Sequence, residues 1–385
     1  MTRRADRPHP HRTPDSSAWS VPGFPPLVAD GPESLPWVVP HLVGFAPEHS
    51  LVVLGLAPRT RRAVITLRLD LPPDDLSDEA ILDVLDVWIR SFDAIRAAGA
   101  DATCVVIYPA HAGAQWVDEI GDELPYRDLA EVAEEVLVTS GLAVRDLVCV
   151  VGERVRSYLC DDRGCCPIDG RVLAASEALR IQAHLVEQGS APLPSRQALV
   201  QALEPRADDD PIRLEVLRAR DGAFVRQQAG IRQRVEAFLH DVAGWGARPT
   251  STSTIARLVV LAGILVSEIR PRDYLLRELT VECDRRTLEA ARSVLTEVVR
   301  CSRGPDAAAP AAVLGVCAWM AGDGASAQVA IDRALVADPT YSLAHLIRAA
   351  LDEGMAPWSW QESMRSLTAE AILGDEPPER ERAPA

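Results

Sequence analysis

The residues best suited to chemistry fall in two places. The first is a cysteine loop, Cys160-x4-Cys165-Cys166, inside the run CDDRGCCPIDG. Thiolates bind zinc and other soft ions, and His184 or Asp162 could complete a tetrahedron. The spacing departs from the two C-x2–4-C units of a zinc knuckle, and adjacent cysteines in an extended chain point apart. A redox role for the vicinal pair is a second reading, because exposed thiols near a cation such as Arg163 have lowered pKa values. Packing is the third, with Gly164 and Pro167 shaping a tight loop around small thiols. No motif in the chain demands a cofactor, and zinc at this loop is the one alternative.

The second place emerges from the order of the elements. Ser50–Ala57 (SLVVLGLA) is a continuous apolar run, as in a buried strand, and Ala63–Asp70 (AVITLRLD) returns as its hairpin partner. A helix over 78–98 carries Ile81, Leu85, Trp88, Phe92 and Ile95 on one face. Thr103–Tyr108 is the next buried strand, Tyr126–Ser140 the next helix, and Leu147–Val151 the next strand. Val155–Cys160 adds an antiparallel edge, and a helix over 172–188 comes after it. Strands joined through helices imply parallel pairing, so the expectation is a mixed, largely parallel sheet with flanking helices. Ligands of such sheets sit beyond the carboxyl ends of the strands. Arg68 and Asp70, His111 after the second helix-linked strand, and Glu153 after the third fall there. Together they would offer an anion contact, two carboxylates and a group titrating near neutral pH. The bland alternative pairs Arg68 with Asp70 and leaves His111 a solvated loop residue.

Domain organisation can be read from punctuation. Residues 1–30, rich in proline, read as a disordered tail, 31–190 as the α/β domain, and 191–211 as a linker. Residues 212–366 are helical in period throughout, and 367–385 read as a second disordered tail. Within the all-α half, 308–341 fit the tetratricopeptide helix–turn–helix template, with Leu314-Gly315, Ala327, Ile331, Ala334 and Pro339 at the packing and turn positions. An ordinary alanine-rich hairpin fits equally well.

Composition narrows the chemistry further. The 385-residue chain has a formal net charge of −16, which disfavours the counterion release that nucleic-acid binding requires. It contains no lysine and no asparagine. Without lysine there is no P-loop, no protein-kinase strand lysine, and no Schiff base to a carbonyl substrate or pyridoxal phosphate. The apolar stretch 255–266 is interrupted by Arg257 and falls short of the roughly 20 residues of a membrane span. No signal-peptide core opens the chain, so a cytoplasmic location with reduced thiols is expected.

Four ordered blocks carry a family resemblance. They are Pro40–Leu56 (PHLVGFAPEHSLVVLGL), Arg68–Pro72 (RLDLP), Cys160–Gly170 with its Cys-Cys-Pro loop, and Trp319–Leu346 with Gly322-Asp323-Gly324 and Asp338–Ala344. Together they resemble the actinobacterial domain of unknown function 4192 family over residues 30–360. The resemblance implies that both halves form one unit in that family and brings no activity with it. The functional expectation is a non-enzymatic binding or regulatory protein. Its helical half would meet a protein partner and its α/β half would hold a small ligand. An enzyme acting on a small anion at Arg68, Asp70, His111 and Glu153, and a metal or thiol site at Cys160, Cys165 and Cys166, are the alternatives.

Overall fold

The structure is a computed structural model that describes residues 18–19, 29–58, 63–72, 78–109, 124–187, 190–222, 230–244 and 251–374. The chain divides into two compact units, Met1–Pro192 and Leu193–Ala385.

The first unit is built on a six-stranded sheet. Its strands are β1 (Ser50–Leu56), β2 (Ala63–Asp70), β3 (Ala102–Tyr108), β4 (Ala143–Val151), β5 (Arg154–Ser157) and β6 (Arg171–Val172), in spatial order β2-β1-β3-β4-β5-β6. Every residue of β1 and β3 is buried. That requires cover on both faces, and the apolar runs SLVVLGL and ATCVVIY suit it, having no polar alternation. On one face Leu51, Val53, Val105, Ile107, Leu147 and Cys149 pack against Trp88, Phe92 and Ile95 of α2 (Asp78–Ala97) and Ala130, Ala133 and Leu137 of α3 (Arg127–Thr139). Helix α1 (Leu35–Val43) packs on β2 and on α4 (Ala175–Glu187).

The structure corrects the expectation of a largely parallel sheet. Among the described residues only β3 and β4 pair in parallel; β1 is antiparallel to both β2 and β3. The helix-linked strands β2, β3 and β4 do run in one direction, as a helical crossover dictates. The hairpin strand β1 has inserted between β2 and β3, so an antiparallel β1–β3 contact stands where a parallel β2–β3 contact was expected.

The tails and the linker also carry structure. Ala18–Trp19 pairs antiparallel with Ala29–Asp30 inside the proline-rich segment expected to be disordered. Residues 191–211 contain helix α5 (Arg196–Gln201), capped by the Ser195 hydroxyl accepting from Ala198 N–H. They are held to the second unit by Arg206, whose guanidinium grips both Glu297 oxygens at 2.6 and 2.9 Å and Asp210 at 2.7 Å. The second unit begins at Leu193, and these charge-assisted bonds order the proline-rich segment read as a linker.

The second unit is helical. It comprises α6 (Pro211–Gly222), α7 (Ile231–Ala243), α8 (Thr252–Ser267), α9 (Ile269–Arg277), a π-helical turn (Glu278–Glu282), α10 (Arg285–Cys301), α11 (Ala308–Met320), α12 (Gly324–Ala337), α13 (Ser342–Asp352), α14 (Pro357–Ser366) and α15 (Ala369–Leu373). The last lies within the segment 367–385 expected to be a tail, and Arg232 pairs with its Glu370. Helix α8 is the apolar stretch of the sequence and is largely buried. Among the described residues no single helix is long and apolar enough to cross a membrane. At the π turn the Thr280 carbonyl accepts from the Gln361 side chain at 2.9 Å, which ties α14 in place.

Helices α11 and α12 make the tightest packing in this unit. A Cβ placed on Gly315 would stand 2.7 Å from Ile331 Cδ1, 2.9 Å from its Cγ1 and 3.3 Å from the Ala327 carbonyl. Overpacking costs about 1–3 kcal/mol, so Gly315→Ala should lower stability by that much in urea unfolding, moving the midpoint with an unchanged slope. A variant as stable as the parent would mean the helices separate freely.

Candidate functional site

At the carboxyl ends of β2, β3 and β4, register places Ser50 directly between Asp70 and Tyr108. Directly opposed residues project from the same face. Arg68, two residues before Asp70, shares that face, and its guanidinium has three partners. It meets Asp70 Oδ1 at 2.6 Å, donates from Nε to the Ser50 hydroxyl at 2.9 Å, and lies 5.9 Å over the Phe45 ring. Ser50 in turn donates to the Glu48 carbonyl at 2.6 Å. Glu153 sits in the exposed turn between β4 and β5, three strands from β2, which is about 14 Å at the usual interstrand spacing. His111 lies outside the described residues. The structure therefore joins Arg68 to Asp70 and sets Glu153 apart.

The same end of the sheet holds groups that the residue pattern does not single out. His49 (φ 45°) and Tyr126 (φ 56°) are, among the described residues, the non-glycine positions with left-handed backbone, and their rings stand 6.4 Å apart. The His49 carbonyl accepts from Leu71 N–H at 3.1 Å, closing the strand pair at its base. The Tyr108 hydroxyl is buried with no hydrogen-bond partner, and burial pushes its pKa well up, so it stays a neutral phenol. A polar tip at the end of a wholly apolar strand is the one signal that could have found it.

The cysteine loop links β5 to β6, and its shape is set by its own backbone. The Asp162 carbonyl accepts from Cys165 N–H at 3.1 Å and Cys166 N–H at 2.7 Å, while the Asp162 carboxylate accepts from Gly164 N–H at 2.8 Å. Farther on, Gly170 N–H reaches the Pro167 carbonyl at 2.9 Å. Gly170 has φ 77°, and a Cβ there would press on Arg154 Cβ at 3.1 Å. Arg154 donates to the Asp169 carbonyl at 2.7 Å and so pins the loop to the sheet edge.

This turn brings the three sulfurs together. The Sγ atoms of Cys160, Cys165 and Cys166 all lie within 4.8 Å of one another. The expectation that the adjacent pair points apart holds for extended chain; the Asp162 turn folds both cysteines back toward Cys160. Zinc–sulfur bonds of about 2.3 Å at tetrahedral angles need sulfurs about 3.8 Å apart, so small side-chain rotations suffice. Neither suggested fourth donor joins the group. Asp162 Oδ1 accepts from Gly164 N–H, neither residue has a ligand atom within 4.8 Å of all three sulfurs, and the His184 Nε2 is buried without a partner elsewhere. Cys166 is buried, Cys160 half-buried and Cys165 exposed. Burial, and then the neighbouring Cys160 thiol, push the Cys166 thiol well above its ordinary range. That opposes a low-pKa redox nucleophile at this position, whereas a coordinated metal ion deprotonates a thiol outright. All eight cysteines are free thiols, and Cys104, Cys149 and Cys317 are buried in the cores.

Residues 32–358 match the family model described as Domain of unknown function (DUF4192). No curated protein and no solved structure matches the chain.

An orphaned buried hydroxyl costs roughly 1–3 kcal/mol relative to a satisfied one. Tyr108→Phe removes the orphan while keeping the ring, so the variant should match or exceed the parent in stability, by about 1 kcal/mol in urea unfolding. A clear loss of stability would show that the hydroxyl has a bonded partner.

Proposed function

The chain belongs to the DUF4192 family, whose description carries no activity, and we propose that it is a non-enzymatic binding protein that holds a thiophilic metal ion at Cys160, Cys165 and Cys166. The observation that carries this is the convergence of three sulfurs to within 4.8 Å on a loop fixed by its own backbone bonds. Soft thiolate donors select zinc, monovalent copper or iron–sulfur units over hard ions such as magnesium. The strand-end cluster supports enzyme chemistry less well, because the Arg68 charge is already met by Asp70 and Ser50.

A specific observation favours a second role for the helical unit. The close approach at Gly315 and Ile331 is the small-against-large contact that the tetratricopeptide template places there. One such hairpin is too few for a solenoid on its own, but it supports reading this half as a surface for a protein partner. Val336 and Leu346 stand exposed on α12 and α13.

Full-length protein purified without a histidine tag and under reducing conditions should carry close to one zinc, copper or iron ion per chain by elemental analysis. Cys160→Ser or Cys165→Ser should reduce that content at least tenfold, whereas Cys301→Ser should leave it unchanged. Metal-free wild-type protein that also fails to take up added zinc would end the metal reading.

A further inference from the structure

We infer that the metal site is coordinatively open and takes an exogenous thiolate, supplied by a small thiol, as its fourth ligand. This rests on the metal reading of the cysteine loop and concerns the ligand that completes it. Among the described residues, the group formed by Cys160, Cys165 and Cys166 includes no fourth histidine, cysteine or carboxylate within 4.8 Å. Asp161 and Asp162, the acidic residues next to Cys160 in sequence, lie outside that group, and Asp162 Oδ1 accepts from Gly164 N–H. The loop's backbone is held at both ends. Asp162 holds one end through three bonds to backbone N–H groups, and Arg154 holds the other through Asp169.

The three sulfurs are graded in burial, from Cys166 (buried) through Cys160 (half-buried) to Cys165 (exposed). The triangle therefore has a protein-facing edge and a solvent-facing vertex, and the missing position opens on the solvent side. Closed four-ligand spheres are structural, while three protein ligands leave a position for exchange.

The donor set decides which ligand enters. Three thiolates more than neutralise a dication, so the metal withdraws little charge from a bound water. The site is thus poorly suited to making the hydroxide that hydrolytic zinc enzymes use. A thiolate is a better match, because it is a soft donor and completes the four-sulfur sphere that zinc adopts in structural sites. The step is a ligand exchange without electron transfer. The incoming thiol loses its proton to solvent, its sulfur forms one bond to the metal, and the bound water leaves.

With Cys166 buried, Cys160 half-buried and Cys165 exposed, an incoming sulfur meets the least obstruction on the Cys165 side, and a small thiol meets less of it than a large one.

Cobalt(II) reports the number of bound thiolates through its sulfur-to-metal charge-transfer absorption. Full-length reduced protein, kept in phosphine reductant and in excess over cobalt, should show the charge-transfer band of a three-thiolate centre. Titration with 2-mercaptoethanol should then raise that band by about a third and shift the visible bands, saturating at one thiol per cobalt. The Cys160→Ser/Cys165→Ser double variant, carried through the same titration, should show neither band. Visible bands that do not respond to excess thiol, beside an intact three-thiolate band, would overturn the inference while leaving the metal site standing. Absence of any charge-transfer band in the wild type would remove the metal site itself, and the inference with it.

Discussion

The first unit depends on one strand. β1 is buried on both faces and hydrogen-bonded antiparallel on both edges, to β2 from Ser50↔Asp70 along its length, and to β3 from Ser50↔Tyr108 along its length. Its seven residues expose no edge and contribute Leu51, Val52, Val53 and Leu54, each fully buried. A run this apolar has no stable place at a sheet margin, so it takes the centre. β2, β3 and β4 are thereby left with their carboxyl ends on one side, where Arg68 and Tyr108 lie. The distal strands β5 and β6 are left to form a short margin, from which the cysteine loop projects. Gly55 fits the same logic: a Cβ there would come within 2.7 Å of both Ile65 and Ile95, so α2 sits directly on the strand because the side chain is missing.

Much of this is legible in residue patterns, and the failures share a cause. Apolar runs locate β1 to β4 within a few residues, because burial is a property of a segment. Pairing partners are a property of two segments, and no local pattern reports them. The strand–helix–strand order therefore identifies the strands that run together but misses the one that slips between two of them. Helix α1 leaves no recognisable pattern. Pro36 falls in its first turn, where the missing N–H costs nothing, but Pro40 falls inside it and erases the helical signature. At the candidate sites, the Arg68–Asp70 pairing is visible as an alternative in their two-residue spacing. The sulfur triangle is not, because it depends on two backbone bonds to the Asp162 carbonyl that no spacing rule encodes.

The second unit shows how a chain without lysine handles its acidic surface. Every cationic side chain other than histidine is arginine, whose planar fork makes several directed bonds at once. Arg206 joins Glu297 and Asp210, and Arg292 joins Glu289 and Asp323. Arg303 reaches the Arg206 carbonyl and Asp208. These residues bridge segments far apart in sequence. The 191–211 stretch is ordered for that reason despite its turn-like composition, and α10 and the start of α12 are fastened together through Arg292. A point charge on a flexible stem could not hold two carboxylates in such fixed geometry.

The same economy bears on the cysteine loop. In a zinc finger the metal is the core, and the apo chain is unfolded. Here the turn is already fixed by Asp162, Pro167, Gly170 and Arg154, and the unit beneath it has a core of its own. If an ion bound as proposed, little chain entropy would remain to be lost, so binding free energy would go into affinity rather than into folding. The cost would fall instead on Cys166, a buried thiol that would have to give up its proton. Grading the three sulfurs by burial sets these demands apart. The buried sulfur sits where a naked thiolate would be least stable, and the exposed one sits where ligands can exchange. On the proposed metal reading, an ion could come and go while the fold beneath the loop stays unchanged.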